Sequence, residues 1–378
     1  MNGQIKMQVR VFASLMVFAW LSGCGMFGGS DKKPKPLPTI SAPLGEKVAW
    51  QASVSKSAGF VFIPASMQGV IYAAGADGGI IGVGDGTGRV EARINAGQKL
   101  SGGVGYGDAK VVVGTAKGEV LAFDSVGRPL WKSPIAGEIL APPTVLANFV
   151  LVRTADGRVV ALNTLDGKRR WVYQRVTPPL TLRSTAGVLV SRGTVYAGFA
   201  GGKLVAIELE SGKPIWEATL SLPRGATELE RVADVGGLPV LDDTRICAAV
   251  YQGRSGCVET LNGNVLWSRE LSSASGVAVD GRNAYFSDDA GNVHALDKIS
   301  GASVWKQDQL MQRKLGTPLV FGGKVWVGDG NGLIHILATD DGALVGRIST
   351  DGTAVNALLG LGDQVIAQTA GGGVFAIR

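Results

Sequence analysis

A chain of 378 residues with a formal charge of +6, only two histidines and three cysteines offers few members for a catalytic triad or a histidine-rich metal site. Its basic excess is mild and no long basic run follows the first 50 residues, which argues against nucleic-acid binding. Fifty-six glycines and 46% hydrophobic residues with only 7% aromatics suit short buried strands joined by tight turns.

In the leader, MNGQIKMQVRVFASLMVFAWLSGCG, Lys6 and Arg10 precede an apolar run of eleven residues, Val11–Leu21. A membrane-crossing helix needs about 20 residues, so the run fits a signal-peptide core instead. Leu21-Ser22-Gly23-Cys24 matches a bacterial lipobox. Residues 1–23 are therefore expected to be removed, leaving Cys24 lipidated at the start of the mature chain. Gly25 after it implies, by resemblance to lipoproteins, delivery to the outer membrane, on the periplasmic side. Residues 24–44 are rich in Gly, Ser, Lys and Pro and predict a flexible tether.

From residue 45 onward the chain repeats one phrase: KGEVLAFDSVGRPLW, DGRVVALNTLDGKRRW, GGKLVAIELESGKPIW, AGNVHALDKISGASVW. The glycine that opens it recurs at Gly78, Gly118, Gly157, Gly202, Gly253, Gly291, Gly332 and Gly372. Each copy predicts a strand before that glycine turn, a second after it, an Asp/Ser/Thr-Gly turn, and a third strand bearing a tryptophan. The tryptophans are Trp131, Trp171, Trp216, Trp267 and Trp305, with Ala92 and Gly346 in their place in two copies. A fourth strand fills the residues before the next copy. Four strands in about 40 residues is the signature of a propeller blade, so residues 45–378 are expected to form one all-β, eight-bladed β-propeller. The eighth copy, QVIAQTAGGGVFAIR, stops at Arg378 before its tryptophan strand, while EKVAWQASV (residues 46–54) precedes the first copy unused. Pairing the two closes the ring and removes an exposed strand edge.

The intervals between anchors run 40, 39, 45, 51, 38, 41 and 40 residues. Both long ones place their excess after the tryptophan strand, in VYQRVTPPLTLRSTAGVLVSRG (residues 172–193) and EATLSLPRGATELERVADVGGLPVLDD (residues 217–243). Equivalent loops of adjacent blades emerge on one face, and rigid scaffolds carry function on such loops. Leu180 and Leu182 are unusual apolar content for exposed loops and point to a partner site.

Other motifs read as structural. GVGDGTG (residues 82–88) lacks a strict Gly-x-Gly-x-x-Gly and a following helix. DDAGN and GDGNG lack the spacing and terminal glutamate of a calcium loop. His294 and His335 share a slot that valine fills in other copies, which speaks against metal binding. Cys247 and Cys257 lie on consecutive strands of one copy, and an oxidising compartment permits a disulfide; whether they face each other depends on the loop between them. No cofactor is implied.

The lipobox, the tether, eight tryptophan-bearing blades and the two loops together resemble the BamB family, lipoproteins of the outer-membrane β-barrel assembly machinery. The most specific segments are LTLR and ATELERVADV. The resemblance implies a non-enzymatic scaffold whose loops dock on a periplasmic POTRA domain of the central barrel protein, BamA, through Leu180, Leu182, Arg183 and Asp234. Gly236 stands where the family motif has a second acid. Two alternatives accompany this reading. One is a quinoprotein dehydrogenase, which also has eight tryptophan-docked blades but a longer chain, calcium ligands and a Cys-Cys pair. The other is capture of nascent barrel chains by strand addition at a blade edge.

Overall fold

The computed structural model describes residues 33–40 and 43–378; the leader, Cys24 and much of the expected tether lie outside them. Among the described residues there is no helix, and the strands form eight sheets of four. Seven of the sheets are antiparallel meanders of consecutive strands, as in Thr144–Val145, Phe149–Arg153, Arg158–Asn163 and Arg169–Gln174 of blade 3. Blades 1 to 7 span residues 65–95, 102–134, 144–174, 188–219, 240–270, 277–307 and 319–349.

Blade 8 supplies three strands from the C-terminus, Val355–Leu361, Gln364–Thr369 and Gly373–Ile377, and takes its fourth from the N-terminal side, Val48–Ser53. Trp50 pairs with Ala376 and Ala52 with Val374, and Lys47 and Arg378 exchange backbone hydrogen bonds at 2.7 and 3.1 Å. The ring is therefore closed through the expected strand.

The middle strands of each blade are nearly all buried, while the outermost ones alternate: in Pro129–Pro134 Trp131 is half-buried and Ser133 buried between exposed neighbours. Side chains of one blade interlock with the next: Leu151 and Ala161 of blade 3 share a cluster with Val195 and Val205 of blade 4. Seven of the eight anchor glycines adopt positive φ in the turn between second and third strands. In blade 5 Gln252 carries it instead (φ 48), two residues after Val250, which bridges to Val235 and Ser272.

Antiparallel alternation puts the first-to-second and third-to-fourth hairpins on one face, here the lower. The connections from one blade to the next lie on the upper face, and both enlarged loops are such connections.

Candidate docking surface

The two loops fill residues 175–187 and 220–239, between blades 3 and 4 and between blades 4 and 5. They are bonded to one another. The backbone N–H of Leu182 donates to Asp234 Oδ2 at 2.5 Å, and Ser184 Oγ donates to the carbonyl of Gly236 at 2.8 Å. Asp234 also accepts from the N–H of Gly201 at 3.1 Å. Burial pushes its carboxyl upward, against the pull of these two amides and of Arg153. Arg153 is itself buried, which drives its guanidinium down to about 10, and it donates to the carbonyl of Ala186 at 3.2 Å. A buried carboxylate beside a buried cation, with two amides as donors, holds the loops against the ring.

The four residues implied as docking contacts thus divide. Leu180 is exposed and Leu182 half-buried. Arg183 is 56% exposed at its side chain. Asp234 is only 3% exposed and stands beneath the surface, where it faces this chain's own amides. Gly236 has a steric explanation: a Cβ there would come within 2.5 Å of the carbonyl oxygen of Ala274, so an acid could not be accommodated without moving the neighbouring backbone.

Arg183 is engaged within the ring. Its guanidinium makes a two-point pair with Glu138, with Nε–Oε2 at 3.2 Å, and lies 5.2 Å from the ring centroid of Phe60. Glu138 comes from the connection between blades 2 and 3, 45 residues away, and no sequence pattern announces it. Four further exposed apolar residues on the loops were also not singled out from the sequence: Val176, Leu222, Leu229 and Leu238, at 96%, 67%, 69% and 44% exposure. The second loop is closed on itself. Glu230 accepts from the amides of Ala226 and Thr227, and Thr227 Oγ1 accepts from the N–H of Glu230, leaving Leu229 pointing outward.

Beside the loops, at the ring centre, lies a cavity of about 490 Å³ whose wall includes Ile63, Pro143, Leu238, Thr317 and Leu358. Among the described residues no charged one lines it, so a calcium ion of the quinoprotein kind would meet no carboxylate from them there. The histidines are held in structural pairs: His294 Nε2 lies 2.8 Å from Asp288 Oδ2, and His335 Nε2 lies 3.0 Å from Asp329 Oδ2. Cys247 and Cys257 are directly opposed across adjacent strands of blade 5, fully buried, with their sulfurs joined.

A closed eight-bladed ring that displays apolar side chains and an arginine on two joined loops belongs to the class of propeller scaffolds. A family model described as outer membrane protein assembly factor BamB matches residues 76–307. The BamB of Nitrosomonas eutropha is 45% identical over 329 residues, covering 86% of this chain and 80% of that protein. The crystal structure of BamB from Moraxella catarrhalis superposes with a TM-score of 0.83 at 27% identity, over 88% of this chain and 99% of that one. The chain belongs to the BamB family of outer membrane protein assembly factors. A quinohemoprotein alcohol dehydrogenase from Comamonas testosteroni (TM-score 0.72, 14% identity, 88% of this chain and 76% of that one) shares the fold alone.

Proposed function

We propose that the protein is a lipid-anchored scaffold at the periplasmic face of the outer membrane that docks on a POTRA domain of BamA and thereby assists barrel insertion. The observation that carries this reading is the pair of joined loops, which leave Leu180, Val176, Leu222, Leu229 and Arg183 exposed. Pre-ordered loops that display apolar side chains together with the exposed guanidinium groups of Arg183, Arg224 and Arg231 match the anchors that concentrate binding energy in interfaces. Asp234 acts here as a positioning residue, setting the loop from below. Arg183 exchanges its Glu138 partner for a carboxylate on the POTRA domain, or shares it, as a guanidinium with five donors permits.

The test is a titration of each variant against the isolated POTRA region, with a melting curve beside it. Arg183→Ala is expected to weaken binding by roughly 2 kcal/mol, as at other interface anchors. Arg183→Glu should weaken it further, because it sets a second acid against Glu138 and repels the partner's carboxylate. Unchanged affinity in Arg183→Glu would remove this surface from the interface. For the anchor, Cys24→Ala is expected to release a folded ring from membranes washed with salt; a variant that stays bound in cells without the partner complex contradicts lipidation at Cys24.

A further inference from the structure

We infer that residues 35–40 and 43–47 form a strap fixed along the outer edge of blades 6 and 7, so that the chain leaves the ring from the same face as the docking loops. The strap is bound at successive points. At the upper face the N–H of Lys35 donates to the carbonyl of Met311 at 3.3 Å, and its ammonium pairs with Asp308 at 3.2 Å. Arg313 Nη2 donates to the carbonyl of Lys35 at 3.0 Å, and Arg347 Nη2 to that of Pro38 at 3.1 Å. Toward the lower face Leu44 N–H donates to the carbonyl of Val345 at 2.9 Å, and Lys47 N–H to that of Arg378 at 2.7 Å. Leu37 packs on the apolar cluster around Leu315 and Val325, and Leu44 on the one around Ile348 and Ile377.

The chemistry of the contacts explains why this segment fits. Pro34, Pro36 and Pro38 favour an extended backbone that makes no hydrogen bonds to itself, which leaves its carbonyls free as acceptors. Arg313 is buried, paired with Asp329 at 3.3 Å, and Arg347 is lowered by burial and by Arg313 beside it. Two like charges taken from water need acceptors, and the strap carbonyls supply them. The strap also crosses the one seam without a third-to-fourth hairpin, where Gly346 occupies the tryptophan position.

The consequence for reach rests on the anchor at Cys24 proposed above. A free tether of the twenty residues 25–44 could extend about 70 Å, whereas the ten residues 25–34 extend about 35 Å. The strap halves the leash and sets its origin on the loop-bearing face, at blades 6 and 7.

A nitroxide placed at the exposed Thr39 by Thr39→Cys, in the full-length protein with the buried cysteine pair intact, reads the strap directly. The unmutated background is expected to give a broad, immobilised spectrum. Leu37→Ser with Leu44→Ser should replace it with a sharp one; both changes lie outside the blade strands, and a melting curve verifies the ring. Arg313→Gln with Arg347→Gln should do the same from the ring side. A sharp spectrum in the unmutated background overturns the strap. The measurement is repeated with Cys24→Ala, so that the strap is judged whether or not the anchor exists: an immobile label on protein that never binds membranes supports the strap and removes only its use as a leash.

Discussion

Burying Asp234 costs free energy that its surroundings must return. Two amide donors and the Arg153 cation return part of it, burial still outweighing them, and the structure thereby spends a carboxylate on loop position that family likeness had placed in the interface. Its burial is invisible in ATELERVADV, because nothing in that string says that Leu182 will come back 52 residues upstream to meet it. Asp288 shows the opposite balance. Burial would raise its carboxyl, but hydrogen bonds from His294 and Asn292 outweigh this and hold it at about 2, against 3.8 for the free group. A depressed folded-state value means that the stabilisation is complete above pH 3.8 and is lost as the pH falls through about 2. The loss should be ~2 kcal/mol. Asp288→Asn should lower stability at neutral pH and flatten the fall below pH 4 in denaturant titrations. An unchanged acid profile in the variant would mean that the pair contributes nothing to folding.

At the scale of the element, the repeated tryptophan acts between blades. Trp131, Trp171, Trp216, Trp267 and Trp305 each donate Nε1–H to a carbonyl in the third-to-fourth hairpin of the next blade, at 2.8–3.0 Å. Each ring also covers that hairpin's glycine. This much was legible, since both phrase and spacing recur. The two gaps in the row were not, because each is filled or excused from elsewhere in the fold. At Ala92 the role passes to Tyr72 on the second strand, whose hydroxyl donates to the Ser125 carbonyl at 2.8 Å. At Gly346 the next blade has no covalent hairpin to dock upon, because its fourth strand comes from the other end of the chain. Gly263 and Gly193 separate the contributions of backbone and contact. Both have φ 75, but a Cβ at Gly263 would meet Trp216 at 2.6 Å whereas one at Gly193 meets nothing within 4 Å. Gly193→Ala should cost ~1 kcal/mol for the left-handed backbone alone. Gly263→Ala should cost a further ~1–3 kcal/mol, because the indole must shift. Equal losses in chemical denaturation would show that the tryptophan contact can relax freely.

For the whole molecule, stability and display depend on closure. A ring of eight equivalent blades holds its loops at set angles only while every interface is made, and the blade 8 to blade 1 interface runs through Val48–Ser53. Trp50 from that strand donates to the Asp85 carbonyl at 2.8 Å and covers Gly88, so the N-terminal strand repeats the action of the internal tryptophans across the seam. Its place in the closing strand was readable because EKVAWQASV had no other partner. Its register was not, because the pairing shifts between Val48 and Trp50. Deleting residues 46–54 should expose the edge of Gly373–Ile377, leave Val374 and Phe375 uncovered and remove the Trp50 dock. Truncating a fully buried tryptophan costs ~3–5 kcal/mol; the half-buried Trp50 contributes less, but the whole closing strand goes with it, so the melting transition should fall sharply and broaden as the ring opens. Restoring the same nine residues after Arg378 through a short Gly-Ser turn should recover it, since Lys47 and Arg378 already exchange backbone hydrogen bonds in the native ring. The rescue separates closure from chain order. A deletion variant that melts like the parent, or a rearranged chain that melts like the deletion, would show that Val48–Ser53 is not what holds the ring shut.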